Sequence, residues 1–405
     1  MSDTPHSQTS NAFVHNLWRA MRYLVLLISL GALFPVTACS QNGTGGTQPS
    51  QAAATGPILF GGPENDDGVA VVAAGDGGWY VVANTHSYGA GGEDIWLIKT
   101  DSGFTAEWDR TFGTATDDHA WNAVSDGAGG ILIAGHTGTY ESATGDLIFI
   151  RVDARGETLW HHTYAIPGRQ GRGYVQRVGE DGYVLSGWSN EPGELSDYIL
   201  LRTDAAGEEL WHRTYGENTG QNGANSVRVA PGGGFAIFGE GLWTGGEDYE
   251  IWQGILVRTD AEGTELWHRE YGGAGAEEGY GLALTPDDGF IVGGFSNSDN
   301  RQGAYCVKCD ASGNQLWWQR LAPPFVAFSI EPVPGGYLVV GPGGLARIDE
   351  EGETLWARQY SSPSEVFSLA LRDNGGIVIV GSTTNGSAGG KDVALLLTDG
   401  EGNPL

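Results

Sequence analysis

Cysteine is nearly missing from this chain: there are three, at positions 39, 306 and 309, in 405 residues. That excludes a disulfide-stapled fold. Basic side chains are also scarce, 21 Lys and Arg against 50 Asp and Glu, which leaves a net charge of −29. A surface this negative repels phosphate backbones, so nucleic acid is not expected as a partner. The apolar run Tyr23 to Leu33 is too short to cross a bilayer comfortably and has the size of a signal-sequence core. A Gly-X-Y period, a His-Glu-x-x-His element, a Walker loop, zinc-finger spacing and a Ser-His-Asp arrangement are all lacking.

Glycine is in excess. Its 67 copies are more than twice the usual ~7%, and 16 Pro add to them, so turns are frequent and long helices are excluded. The 14 Trp, 15 Tyr and 13 Phe supply a core and argue against disorder. At the N-terminus, Arg19 and Arg22 precede the apolar run, and Val36-Thr37-Ala38-Cys39 follows it. This segment resembles a bacterial lipobox, which implies cleavage before Cys39, acylation of that residue and, with Ser40 rather than Asp next to it, an outer-membrane lipoprotein. Met1 and Met21 both qualify as the start. Residues 1–38 are then a signal peptide. Residues 39–56 form a polar tether with a reach of roughly 20–25 Å.

A repeat fills the rest. Asp153-x-x-Gly156-x-x-x-Trp160 recurs at Asp204/Gly207/Trp211, Asp260/Gly263/Trp267, Asp310/Gly313/Trp317 and Asp349/Gly352/Trp356. Asp101 to Trp108 is a variant with its glycine at 103, and Asp399 to Leu405 is a truncated copy. Between these markers lies a second one, a glycine turn leading into an apolar strand, as in Gly233-Gly234-Phe235-Ala236-Ile237-Phe238-Gly239; it too occurs seven times. Each period of about 50 residues holds four short β-prone runs, the pattern of a propeller blade. Residues 57–405 therefore read as an all-β, seven-bladed β-propeller with four antiparallel strands per blade. The last unit lacks its Trp strand, while Pro57 to Gly62 matches the end of one, so an N-terminal strand is expected to close the ring in the last blade. Trp108, Trp160, Trp211, Trp267, Trp317 and Trp356 are structural and outermost; Ala123-Val124 is innermost.

Over residues 57–405 the units resemble the Trp-bearing repeats of bacterial and archaeal extracytoplasmic β-propellers. They are distantly similar to WD40 propellers and to the docking repeats of quinoprotein-type propellers. The resemblance implies the fold alone. Quinoprotein propellers usually have eight blades and adjacent cysteines at the cofactor, and this chain has neither feature. Another similar class is the propeller lipoprotein that assists outer-membrane protein assembly.

Candidate chemistry is sparse. Cys306 and Cys309 lie three apart on one strand and point to opposite faces, which makes them structural. His161, His212 and His268 each follow a repeat Trp on a different blade, too far apart to share a metal. Asp94, Asp146, Asp197 and Asp392 stand seven residues before a repeat Asp, where a carboxylate caps a turn. One end of the ring has long, variable loops, where propellers bind. On that face Asp67, Asp118, Arg172, Glu278 and Glu365 sit near the innermost strands, and Tyr88, Tyr140, Trp188 and Trp243 supply exposed aromatics. Such residues stack on sugars or hold a peptide. No cofactor is expected, though a ring of these carboxylates has the chemistry to hold Ca²⁺. The resulting expectation is a monomeric, non-enzymatic binding scaffold for an envelope protein or glycan, in contact with the membrane through its lipid anchor only. The alternative is a propeller hydrolase, lyase or quinone-linked oxidoreductase using the same carboxylates.

Overall fold

The structure, a computed structural model, describes residues 56–138, 145–164, 166–190, 196–216, 222–241, 252–273 and 275–405. Signal peptide, Cys39 and tether lie outside them. The described residues form seven four-stranded antiparallel sheets arranged as a propeller. The first blade is β2 (Asp66–Ala73), β3 (Trp79–Thr85), β4 (Asp94–Thr100) and β5 (Ala106–Phe112), in that order from inside to outside. The other inner strands are β6 (Asp118–Ser125), β10 (Arg169–Arg177), β14 (Gly223–Val229), β18 (Glu277–Leu284), β22 (Ser329–Val333) and β26 (Glu365–Leu371). β6 packs against the inner strands on both sides, β2 and β10, so Ala123 and Val124 lie innermost, as expected.

No blade has a core of its own. Among the described residues seven apolar clusters occur, and each draws on two adjacent blades: one combines Val184 and Leu200 with Val227, Ile237 and Ile255. A lone four-stranded sheet would leave both faces wet, so the ring is the smallest unit that hides them. The two cysteines obey the expected alternation. Cys306 belongs to the cluster between the fifth and sixth blades and Cys309 to the cluster between the fourth and fifth. Burial pushes both thiols up, Cys309 to about 11, which makes them inert.

The repeat motif fastens these seams. Its Asp accepts N–H bonds from two and four residues ahead, Asp153 from Arg155 and Glu157 at 2.8 and 2.9 Å. Its Gly adopts φ near +80°, as Gly263 does, so the α-carbon presents a flat surface to the Trp of the preceding blade. A Cβ on Gly263 would lie 2.7 Å from the Trp211 ring, and Gly156, Gly313 and Gly402 receive Trp108, Trp267 and Trp356 in the same way. The seams carry a second fastener: Tyr164, Tyr215, Tyr271 and Tyr360 donate to the carbonyls of Gly207, Gly263, Gly313 and Gly402 at 2.7–2.8 Å. The expected caps are present at Asp94, which accepts from Ala90 and Gly91, and at Asp392, which accepts from Ala388. His212 and His268 sit on the outer strands beside Glu209 and Glu265.

Closure follows the expected route. β1 (Ile58–Phe60) pairs antiparallel with β28 (Asp392–Thr398), Leu59 opposite Ala394, as the outer strand of the last blade. This strand has no Trp to offer the first blade. There the position of the repeat glycine is Phe104, held at φ +65°. Its ring is 2% exposed, stacks on Trp79 at 5.4 Å and shares a cluster with Ile58 and Phe60. The side chain fills from the first blade the space that a Trp fills elsewhere from the blade before.

Candidate functional site

Six of the seven inner strands carry a β-bulge two or three residues after their start, and the extra residue is Val69, Trp121, Arg172, Asn225, Tyr280 or Phe367. In the sixth blade Phe328, just before β22, takes the same place. A bulge re-aims a side chain; Val69 still packs against the cluster between the first and second blades, whereas Trp121, Tyr280 and Phe367 belong to none of the seam clusters. Small neighbours make this feasible: the chain at Gly279 approaches the blade before so closely that a Cβ would lie 2.1 Å from the carbonyl oxygen of Gly239.

From Trp121 to Phe367 these residues meet across adjacent blades, forming a belt along the innermost strands from the second blade to the seventh. Arg172 lies over the Trp121 ring at 5.9 Å and donates to Asn225. Asn225 donates to the carbonyl of Gly279 at 2.6 Å, next to Tyr280. Tyr280 meets Phe328 edge-on at 4.8 Å, and Phe328 stacks on Phe367 at 5.7 Å. One half is polar and the other aromatic. In the polar half Arg172 pairs with Glu240 at 2.9 Å, and Asn225 donates to the other oxygen of Glu240. Arg172 has φ +64°, a left-handed conformation that costs about 1–2 kcal/mol outside glycine; the cluster holds it there. Behind Trp121, its indole donates to His136 at 2.9 Å, His136 stacks on His119, and His119 faces Glu93 at 3.2 Å.

Burial dominates the electrostatics. It pushes the Glu240 carboxyl up to about 7 against the pull of Arg172, and raises Glu278, whose Oε2 accepts from Tyr280 at 2.7 Å. A carboxyl whose native pKa exceeds its unfolded value binds more protons when folded, so its stabilising effect is complete at low pH and fades as pH rises between the two values. Stability is therefore expected to fall from about pH 4.5 to about pH 7, by up to ~1.4 kcal/mol per pH unit for one group. Glu93, Asp118 and Glu331 are raised by burial too and share the trend. Urea midpoints measured across this range should show a shallower slope in Glu240→Gln; an unchanged slope would remove Glu240 from the account.

The expected site residues separate. Arg172 and Glu278 join the belt. Asp67 and Glu365 come together on Lys391, at 2.7 and 2.9 Å, at the joint between last and first blades. Asp118 is buried and accepts from the backbone and hydroxyl of Thr114 at 2.6 and 2.9 Å, which makes it a turn cap. The carboxylates are thus engaged separately and form no ring, and among the described residues no three His, Cys, Asp or Glu lie close enough to hold a metal ion. Trp188 is not an exposed aromatic: it is 7% exposed, its ring packed against Gly171 where a Cβ would lie. Tyr88 is exposed and lies on Trp96 at 4.8 Å, away from the belt. Tyr140 and Trp243 lie outside the described residues. Trp121, Asn225, Glu240, Tyr280, Phe328 and Phe367 were missed. Their signal is a large or polar residue flanked by small ones, Gly279-Tyr280-Gly281 or Ala327-Phe328-Ser329.

No protein-family model and no curated protein matches the chain. Solved structures do. The WD40 domain of Pan2 from Neurospora crassa is similar with a TM-score of 0.53 at 11% identity, over 86% of this chain and 97% of that one. The polysaccharide lyase Uly1 gives 0.54 at 10%, over 84% and 90%. BamB from Moraxella catarrhalis gives 0.41 at 14%, over 84% and 85%. Likenesses this remote in sequence speak for architecture alone, and the architecture is that of a seven-bladed β-propeller.

Proposed function

We propose that the chain is a non-enzymatic, lipid-anchored propeller of the cell envelope that holds a protein or glycan partner at the long-loop mouth of its channel. The belt supports this reading. Trp121, Tyr280, Phe328 and Phe367 are only half-buried. The bulges at Trp121, Tyr280 and Phe367, and the approach to β22 at Phe328, turn large rings out of the seams, where burial stabilises the fold, toward the ring axis where they remain available to a ligand. The enzymatic reading draws on Glu240, since a carboxyl titrating near 7 suits proton transfer. Both oxygens of Glu240 are already held, however, one by Arg172 and one by Asn225.

Pull-down from envelope fractions and glycan arrays, with the full lipidated chain as bait, test the proposal. Retention is expected to drop at least tenfold in Trp121→Ala and Phe328→Ala. Trp188→Ala should instead lower the unfolding midpoint with retention intact. Cys39→Ser should abolish incorporation of labelled palmitate. A partner retained equally by the two channel variants would overturn the reading.

A further inference from the structure

We infer that the channel mouth recognises a cationic group, an alkylammonium, held between the Glu278 carboxylate and the ring faces of Tyr280, Phe328 and Phe367. The inference rests on the channel reading above and names the chemistry of its ligand. Three observations carry it. First, the Glu278 side chain is about nine-tenths buried, and its one hydrogen bond among the described residues comes from Tyr280 to Oε2, so no protein donor reaches Oε1, which stays open to solvent. A carboxylate can accept several bonds, so this oxygen has the capacity to take a donor from a ligand. Second, among the described residues the cation that acts on Glu278 is Arg172, which is paired to Glu240, so with both carboxylates ionised the group carries one net negative charge. Third, the neighbouring rings form an aromatic wall of half-buried side chains, 4.8 and 5.7 Å between successive centroids. Such faces attract cations and give an anion nothing. The net charge of −29 favours the same sign of ligand on approach.

Titration calorimetry of the full chain at low salt, with spermidine in one arm and a short Lys-containing peptide in the other, tests this and separates a free amine from a protein side chain. Binding in at least one arm is expected. Glu278→Gln, which keeps the bond from Tyr280, should weaken it tenfold or more. Phe328→Leu, which keeps apolar bulk but removes the ring face, should weaken it about threefold to tenfold. The ε-acetylated peptide should not bind. No binding in either arm, or binding indifferent to Glu278→Gln, overturns the inference. If the acetylated peptide or a neutral glycan binds and Trp121→Ala abolishes it, the channel reading stands and the cation reading falls. If neutral and cationic ligands alike ignore Trp121→Ala and Phe328→Ala, both fall.

Discussion

Removal of residues 57–62 is expected to turn a cooperative monomer into a destabilised, self-associating chain. β1 is only three residues long, but it supplies the outer strand of the last blade and two side chains, Ile58 and Phe60, to the cluster that joins last and first blades. Half-burial of two such side chains is worth about 2–3 kcal/mol. The ladder bonds to β28 add about 1 kcal/mol each. After the entropy of ordering three residues, a loss of about 1–2 kcal/mol remains. The deletion also uncovers β28, an apolar strand containing Val393 and Leu395, as a free edge of the kind that pairs between chains. Urea unfolding and gel filtration read the two effects together. A truncated chain that keeps its midpoint and elutes as a monomer would show that the ring is closed by something else.

The second large effect concerns a seam. Trp211→Ala should cost about 3 kcal/mol, near the lower end for loss of a large aromatic, because the ring is only partly enclosed. Gly263→Ala should cost about 2–3 kcal/mol: the left-handed backbone penalizes any Cβ, and this one would meet the Trp211 ring. The two costs should not add. Once the indole is gone the new methyl group has room, so only the backbone penalty of about 1 kcal/mol remains and a coupling of about 1–2 kcal/mol appears in the double-mutant cycle. Additivity within error would mean that Trp211 and Gly263 do not form the fastener described above.

Much of this architecture was readable in the sequence because its determinants are local and recur. Asp-x-x-Gly turns are set by side chain-to-backbone bonds two and four residues ahead, so six copies of a spacing and one variant reveal seven turns. Ring closure was legible from a missing strand at one end and a spare one at the other. The face assignment of Cys306 and Cys309 needed only the strand period. The channel was not legible in this way. Glu240 meets Arg172 across 68 residues of chain, and Lys391 gathers Asp67 and Glu365 from two blades; periodicity within one unit contains neither encounter. Trp188 was misjudged because a polar sequence environment suggested a loop, whereas β11 (Tyr183–Asn190) carries the residue into the blade. The bulges lay between these cases: their small-large-small signature is present, but it gains meaning only once the close approach of neighbouring backbones is known.

Phe104 has a consequence for how such a ring changes length. Six joints use one interchangeable coupling, an indole laid on a glycine, so a duplicated or excised unit inserted at any of them finds the partner it requires on either side. The seventh joint uses a different part, with the bulky group carried by the receiving unit. A copy of the first unit spliced elsewhere would bring its phenyl ring into a space already filled by an indole. Growth and loss of units are thereby confined to the interior of the chain, and the joint where its two ends meet is passed on unchanged.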